Sequence, residues 1–492
     1  VFVYGAARKG DIISGRLLRY YIEMKNIITF LSIFLLGALA LGSCIEDGFS
    51  TSPSDQPVFS ADTVDMGLLF TDEPSPTSRF KVYNPHSKSL LISSVRIVGD
   101  NAGCYRVNVD GMSGAEFSDV EIRGKDSVFV LVEATLPPNS SGKPMTVDAK
   151  LEFMTNGVAS EVVLRACGQD VRRLREYVVE SDEIFDAALP YQIYDSLVVA
   201  EGATLTLAHG ATLYFHDKAS MIVRGTLLAE GTAEAPVNMT GDRRGNVVAD
   251  ISFDIMSRQW DGVRFTPSSS GNKLSHTDMR NTERGLAIEG DGAGGEPSLS
   301  MLNCRLHNSA GTVLEAVHSS VEAVGCEFAE GGAGLVALHG GSHEFRYCTF
   351  ANNYLFSAVS GPAVALSHVS ADAKTGFDDG SGLPYIEARI SNSVIYGIGA
   401  DISHGDLTGT CVSVHRCLMR SKGSDDDNFT DCLWEADPLF YTERSEYVFD
   451  YRLRPESPAI GAADPAISAP ADFYGHARGS VPDLGAYVFE AP

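Results

Sequence analysis

Met301-Leu302-Asn303-Cys304-Arg305-Leu306, Ala323-Val324-Gly325-Cys326-Glu327-Phe328 and Phe345-Arg346-Tyr347-Cys348-Thr349-Phe350 are one pattern written three times, 22 residues apart. An apolar leader stands three places before a small residue, and an apolar follower stands two places after it. Leu274, Thr277 and Met279 repeat the pattern upstream; Ile390, Ser393 and Ile395, then Val414, Cys417 and Met419, repeat it downstream after intervals of 45 and 24. Residues two apart on a strand share a face, so each small residue and its follower point the same way. The leader has the wrong parity for one straight strand, which requires a bend before the small residue. Short strands meeting at a corner, repeated every rung, are the coils of a β-solenoid, with like residues stacked about 4.8 Å apart. No segment keeps an i, i+3, i+4 apolar stripe for three turns. The predicted class is all-β, with a right-handed parallel β-helix over 191–436. Ser393 and Thr277 replace Cys in the column, so the column reads as small core filler rather than a disulfide or metal ligand set.

The 45-residue interval is explained by a polar, Gly-rich loop at Ala371–Pro384 inserted into one long rung. Leu197–Thr232, with Gly202-Ala203-Thr204, Gly210-Ala211-Thr212 and Gly225-Thr226, reads as the opening coils with glycines at corners. This stretch resembles the opening of many right-handed β-helix proteins, and Trp260-Asp261-Gly262-Val263-Arg264-Phe265 resembles the rung that commonly follows.

The chain has 492 residues, 38 Lys+Arg and 64 Asp+Glu, a formal net charge of −26. Residues 1–43 hold five bases and two acids, which leaves −29 on the rest. So acidic a surface repels nucleic acid and anionic membranes, and it argues against polyuronate substrates unless cations intervene. Among nine cysteines, Cys104 with Cys167 or Cys411 with Cys417 are open pairings, and the state of Cys432 is equally open. There is no CxxC, P-loop, nucleophile elbow or HExxH.

Residues 1–23 read as an upstream mis-start ahead of Met24. From there a basic start, the apolar run Ile27–Leu41 and Leu41-Gly42-Ser43-Cys44 form a secretory leader over 24–43, too short for a stable span. Its ending resembles a bacterial lipobox, which implies a lipid on Cys44. Glu46-Asp47 is similar to the acidic export signal of Bacteroides-group surface lipoproteins, which implies an outer-membrane, surface-exposed address. Residues 44–57, with Ser50–Gln56, read as a flexible tether. Short strand-like runs over 58–170, separated by turn residues, predict a β-sandwich. Val64-Asp65-Met66-Gly67, Val82-Tyr83-Asn84 and Cys167-Gly168 resemble immunoglobulin-like domains of bacterial surface and ciliary proteins. Residues 171–190 read as a linker.

The final segment, 437–492, carries Asp437-Pro438-Leu439-Phe440, Asp450-Tyr451-Arg452-Leu453, Ser457-Pro458-Ala459-Ile460-Gly461, Asp472-Phe473-Tyr474-Gly475 and Pro482-Asp483-Leu484-Gly485-Ala486-Tyr487. This series resembles the terminal region of the choice-of-anchor Q family of extracytoplasmic β-helix proteins, which implies fold but no common reaction. Its expected role is a cap over the last coil.

Histidine recurs before the rungs at His318, His339, His368 and His404, with His343 just beyond. Stacked coils would bring His318 and His339 into one column, where imidazoles a rung apart can hold a metal or a sugar hydroxyl; the alternative is a polar ladder at a turn. His276-Thr277-Asp278, Asp378-Asp379 and His404-Gly405 are similar to the polygalacturonase motifs Asn-Thr-Asp, Asp-Asp and Gly-His-Gly. They depart from them, because His276 replaces Asn and the acids stand several rungs apart. Asp425-Asp426-Asp427 reads as a solvated charge run. No catalytic residue, cofactor or metal is assigned. The expected function is a lipid-anchored surface protein whose β-helix binds a polysaccharide or a cell-surface protein, without nucleic acid. A polysaccharide lyase or glycosidase, and a structural adhesin, are the alternatives.

Overall fold

The computed structural model describes residues 48–248, 251–290, 297–367, 386–405, 407 and 410–491. The expected leader, Cys44, His368, Asp378-Asp379 and the loop at 371–384 lie outside the described residues. Among those described, strands, bridges and short 3-10 turns form and no α-helix does. The chain divides into two compact units. Of the described residues, the first comprises those up to Asp65, Pro76–Ala134 and Asp148–Arg165; the second comprises Met66–Ser75, Thr135–Val147 and those from Ala166 onward.

Two five-stranded sheets account for the strands between 58 and 169. One orders Val58–Phe59, Ser78–Tyr83, Ser127–Ala134, Tyr105–Val109 and Met112–Gly114, with antiparallel pairing throughout. The other orders Thr63–Phe70, Val158–Gln169, Met145–Thr155, Leu90–Val98 and Glu116–Ile122. Alternation along Ser127–Ala134 is strict: Val128, Val130, Val132 and Ala134 are buried, while Phe129, Leu131 and Glu133 face out. The stretch expected to be a flexible tether is instead laid down on the first unit. Ser50 N donates to Ser89 O at 2.9 Å, and the Asn156 amide donates to the carbonyls of Ser52 and Asp55. Its own serines cause this, because Ser50 Oγ bonds Asp55 at 2.6 Å and closes the segment into a turn.

The second unit holds a 25-stranded parallel sheet wound coil on coil, consistent with a β-helix. Each full coil has three sides. On the first, 278–280 pairs with 305–307, 327–329 with 349–351, and 349–352 with 394–397. On the second, 286–289 pairs with 314–317, and 336–339 with 364–367. On the third, 272–275 pairs with 299–302, then 321–324, 343–346 and 388–391 in turn. The leaders therefore stack as Leu274, Met301, Ala323, Phe345, Ile390 and Val414. Their followers stack as Met279, Leu306, Phe328, Phe350, Ile395 and Met419. The 45-residue interval is a single coil, since Phe345 pairs with Ile390 and Phe350 with Ile395. Inside, Phe328 and Phe350 stack at 5.4 Å with Phe345 against both.

The predicted bend is a left-handed residue directly before each small one: His276, Asn303, Gly325, Tyr347, Asn392 and Arg416, with φ between 40° and 64°. The column of small residues is fully buried. It is more than filler, because each member carries a short donor turned back onto the carbonyl two residues earlier. Thr277 Oγ1 reaches Ser275 O at 3.1 Å, Cys326 Sγ reaches Val324 O at 3.4 Å, and Ser393 Oγ reaches Ser391 O at 2.8 Å. Cys304 and Cys348 also reach the coil below, at Leu274 O and Ala323 O. The sequence pattern missed a seventh member. Asp431 is left-handed, and Cys432 Sγ faces Thr430 O and Val414 O after only 15 residues. None of the eight described cysteines is in a disulfide; Cys411 is exposed while Cys417 lies in the buried column.

Two expected boundaries are corrected. Residues 171–190 are not a linker but part of the first coil, since Arg172–Val179 pairs in parallel with Tyr191–Val199 and Glu183–Phe185 with Leu205–Leu207. Most of Arg172–Val179 is exposed, which is why its sequence looks like a connection. The final segment does not lie over the last coil. It runs along the corner between the third and first sides, from the His415–Asp464 contact at 3.3 Å to Phe473, whose ring lies 5.9 Å from that of His276. The left-handed corner residues hold it there. Asn392 donates to Asp464 O and accepts from Asp464 N, Tyr347 donates to Ile467 O, and Asn303 donates to Ala471 O. Gly325 interrupts the column because a Cβ there would meet Asn303 Oδ1 at 2.2 Å. At the end of the last coils Phe429, with Trp434 beside it at 5.6 Å, joins the core. Asp425 and Asp426 fix that loop by accepting from Trp434 Nε1, Cys432 N, Asn428 N and Phe429 N.

Asn392→Ala removes both bonds to Asp464 and puts a residue without a compensating side chain in the left-handed region. The expected loss is about 2–4 kcal/mol of stability, from two buried hydrogen bonds and the corner strain together. Hydrogen exchange should show faster opening across 460–472 than across the interior strands; equal protection in both would count against this docking.

Candidate functional site

The third side presents its outward residues in straight columns. The register places Lys273, Ser300, Glu322, Glu344 and Arg389 in one, and Ser275, Leu302, Val324, Arg346 and Ser391 in the next. Ser320, Ser342 and Glu387 form a third. The wall beside the second column is the final segment, where Ser468, Ala469 and Pro470 close a cleft of about 640 Å³ over Leu302 and Val324. A smaller hollow of about 200 Å³ continues the groove between Pro297, Ser342, Glu344 and Arg389. Five coils at strand spacing make a trough about 19 Å long.

Charge in the trough is compensated locally, along each strand and between neighbouring coils. Arg346 bridges Glu322 at 2.7 Å and Glu344 at 3.6 Å, and Arg389 pairs with Glu387 at 2.5 Å. Lys273, Arg346 and Arg389 thus face Glu322, Glu344 and Glu387. Glu322 and Glu344 are register partners, one strand spacing apart at the backbone. Among the described residues no Phe, Tyr or Trp lines either hollow. The arrangement offers an elongated ligand a strip of apolar contact with alternating donors and acceptors beside it.

A second polar cluster lies on the first side, under the final segment. Asp278, Glu327 and Glu330 are buried there beside Arg305, Tyr451 and Tyr487. Tyr451 donates to Glu330 and Tyr487 to Glu327. Asp278 accepts from His307 Nε2 at 3.1 Å and lies 3.5 Å from Arg305. Burial alone would raise the Asp278 carboxyl, but His307, Arg305 and Arg280 outweigh it and hold the group well below the usual range. Glu330 goes the other way: burial pushes it up to about 8, helped by Glu327 and opposed by the Tyr451 hydroxyl. The sequence gives no sign of this cluster, since Tyr451 and Tyr487 are 121 and 160 residues from their partners.

The histidines do not form a column. His339 pairs in register with Val317 and Ser367, so it misses His318, which occupies a left-handed corner between Val317 and Ser319. The coils pair at an offset of 22 on both sides of that corner, whereas the two histidines are 21 residues apart, and this difference of one place separates the rings. His339 lies 3.7 Å from Glu315, and its Nδ1 meets Ser367 Oγ at 2.8 Å. His343 is an interior residue between Val321 and Ala388, with Nε2 on Gly340 O. Burial pulls it down to about 4, so it is neutral at pH 7. His404 is exposed, in register with Leu366. Asp278, the Asp of His276-Thr277-Asp278, is enclosed by the final segment rather than presented to a substrate.

No protein-family model matches the chain. A 70-residue stretch, 14% of this chain, is 34% identical to Protein bark beetle of Drosophila melanogaster and spans 2% of that protein. Among solved structures, a protein of unknown function from Porphyromonas gingivalis W83 is similar over 23% of this chain and 48% of its own, at 16% identity and a TM-score of 0.18. A family 123 glycoside hydrolase from Clostridium perfringens is similar over 24% of this chain and 26% of its own, at 8% identity and a TM-score of 0.17. The chain spans under half the length of each, and likenesses of this size assign neither fold nor activity.

Glu330 gives the buried cluster a measurable sign. Its folded value lies above the ordinary 4.5, so the native state holds a proton that the unfolded chain releases. Stability should be greatest below about pH 4.5 on this account and fall as pH rises through about 8. Glu330→Gln keeps an acceptor for Tyr451 without the ionisation. Its melting temperature should exceed that of the parent chain by several degrees at pH 8.5, with a smaller gap at pH 5. A gap independent of pH would contradict the assignment.

Proposed function

We propose that this chain is a lipid-anchored surface protein of a bacterial outer membrane, whose β-helix binds an elongated ligand along its third side. In this reading Cys44 carries the lipid, residues 58–170 are an immunoglobulin-like stalk, the β-helix is right-handed, and 437–492 is a choice-of-anchor Q type terminal region. The leader motif over 24–44 supports the anchor, and the spacing of motifs in 437–492 supports the last assignment. Among the described residues no helix is long and apolar enough to cross a membrane.

The observation that carries the binding reading is the walled trough over Leu302 and Val324. Straight columns repeated at strand spacing suit a ligand that is itself a repeating linear chain, either a glycan strand or an extended segment of a protein partner. Clefts of this volume with a few fixed polar groups are ordinary small-ligand sites. A carbohydrate-active enzyme is the second reading, favoured by one feature: Glu322 and Glu344 occupy neighbouring coils, and glycosidases place paired carboxylates about 5–10 Å apart. A passive adhesin is the third.

Screening the chain against a glycan array and an extended-peptide library, with reducing-end release measured in parallel, separates the three. Leu302→Arg fills the cleft from its floor and should weaken binding at least tenfold while the melting temperature holds. Saturable binding lost in that variant supports the trough. Product release abolished by Glu322→Gln and Glu344→Gln would establish the enzyme instead, and binding indifferent to Leu302→Arg would remove the trough from consideration.

A further inference from the structure

The first unit carries an anomaly that the trough does not absorb. In a chain with 64 acids against 38 bases, the two sheets of this unit treat their outward bases differently. On the outer face of the sheet containing Leu90–Val98 and Met145–Thr155 the bases are paired: Arg96 with Glu152 at 2.7 Å, Lys150 with Glu161 at 2.8 Å, and Arg165 with Asp148 at 2.9 Å. On the other sheet they are not. Arg79, Lys81 and Tyr83 project outward in a row along Ser78–Tyr83, and the register sets Phe129 opposite Lys81 and Leu131 opposite Arg79. Among the described residues neither base meets a carboxylate. Their neighbour is an aromatic ring, with Lys81 Nζ 4.8 Å and the Arg79 guanidinium 6.0 Å from the centre of Phe129.

The apolar residues of this face are equally out of place. Phe129 is 46% exposed, Tyr83 38%, Leu131 36% and Val58 52%, and they are neighbours on paired strands. Arg106 adds a third base two strands across, and Glu133, opposite it, is the only carboxylate that the outward positions of the three central strands present. Contiguous large apolar side chains on an exposed surface mark an interaction site. Bases left unpaired among them mark a partner of negative charge.

We propose that this sheet face is a docking surface for an anionic polysaccharide, one bearing uronate or sulfate groups. Arg79 and Lys81 stand about 7 Å apart along one strand, with Tyr83 a further 7 Å on, which lays cations and ring faces in a line. A linear sugar chain following that line sets its anionic groups on the two bases and its ring faces against Tyr83 and Phe129. The overall charge of the chain repels such a polymer, so attachment is confined to this face, where the local charge is reversed. The surface shares no residue with the trough, and its failure would leave the trough untouched.

The test is calorimetric titration of the full chain with three probes: a sulfated hexasaccharide, hexagalacturonate and a hexaglutamate peptide. At least one sugar probe should bind, more weakly as salt rises. Arg79→Glu with Lys81→Glu should weaken it more than tenfold, and Phe129→Ser several-fold even at high salt. The charge-matched pair Lys150→Glu with Arg165→Glu, on the opposite sheet, should bind as the parent does, and Leu302→Arg should change nothing. Four outcomes overturn the proposal: no sugar binding, equal loss in both charge pairs, equal affinity for hexaglutamate, or displacement by millimolar glycerol phosphate. The last would identify the face as a lipid-headgroup surface.

Discussion

A buried carbonyl at every turn of the coil is the constraint from which the second unit follows. Each time the chain passes from the third side to the first, it takes one residue through the left-handed region. The carbonyl two residues before the small position accepts the backbone N–H of the corner residue one coil earlier, Leu302 O from His276, Val324 O from Asn303 and Ser391 O from Tyr347, and takes a second bond from the small residue's own side chain. That second bond, worth about 0.5–1.5 kcal/mol, recurs at every coil. Cys, Ser and Thr are the side chains that fit under the corner and still carry a donor. A thiol is the weakest donor of the three, but it is also the most apolar, and the ring stack of Phe328, Phe345 and Phe350 lies beside it. Burial drives the Cys304 and Cys326 thiols far up, so these cysteines are inert.

The outward half of the same corner decides what the surface becomes. A left-handed residue turns its side chain away from the coil, and Asn303, Tyr347 and Asn392 use that direction to hold the backbone of 464–471. The held segment then does two things at once. Its Ser468-Ala469-Pro470 edge walls the trough on the third side, and its Tyr451 and Tyr487 seal Glu330 and Glu327 on the first. Position within the trough is therefore inherited from corner geometry, and a change at Asn392 is felt at both places. Gly325 belongs to the same design, because the space a side chain would fill there is taken by Asn303.

Electrostatics divides the molecule differently from its packing. The trough balances its bases and acids within neighbouring coils, so an uncharged or evenly charged ligand meets no net field there. The sheet carrying Arg79, Lys81 and Phe129 leaves its bases to an aromatic ring. A net charge of −26 is thus a poor guide to any one face, since the two faces of the same pair of sheets differ in whether their bases are paired.

By itself the sequence determined whatever recurs. Leader, small residue and follower repeat at a nearly fixed interval, so strand parity, the corner before the small residue and the alignment of all six rungs are written locally. The seventh rung at Cys432 escaped because its interval is 15, and the first coil escaped because the exposed strand Arg172–Val179 has no apolar periodicity to show. Tertiary structure alone decided the rest. It put His343 in the interior between Val321 and Ala388, just after the left-handed corner at Gly340 and Gly341. It also joined Tyr451 to Glu330 across 121 residues and laid 464–472 along the corner, contacts made once rather than once per coil. A contact that does not repeat leaves no period in the chain, which is why the scaffold could be read from residues and its sites could not.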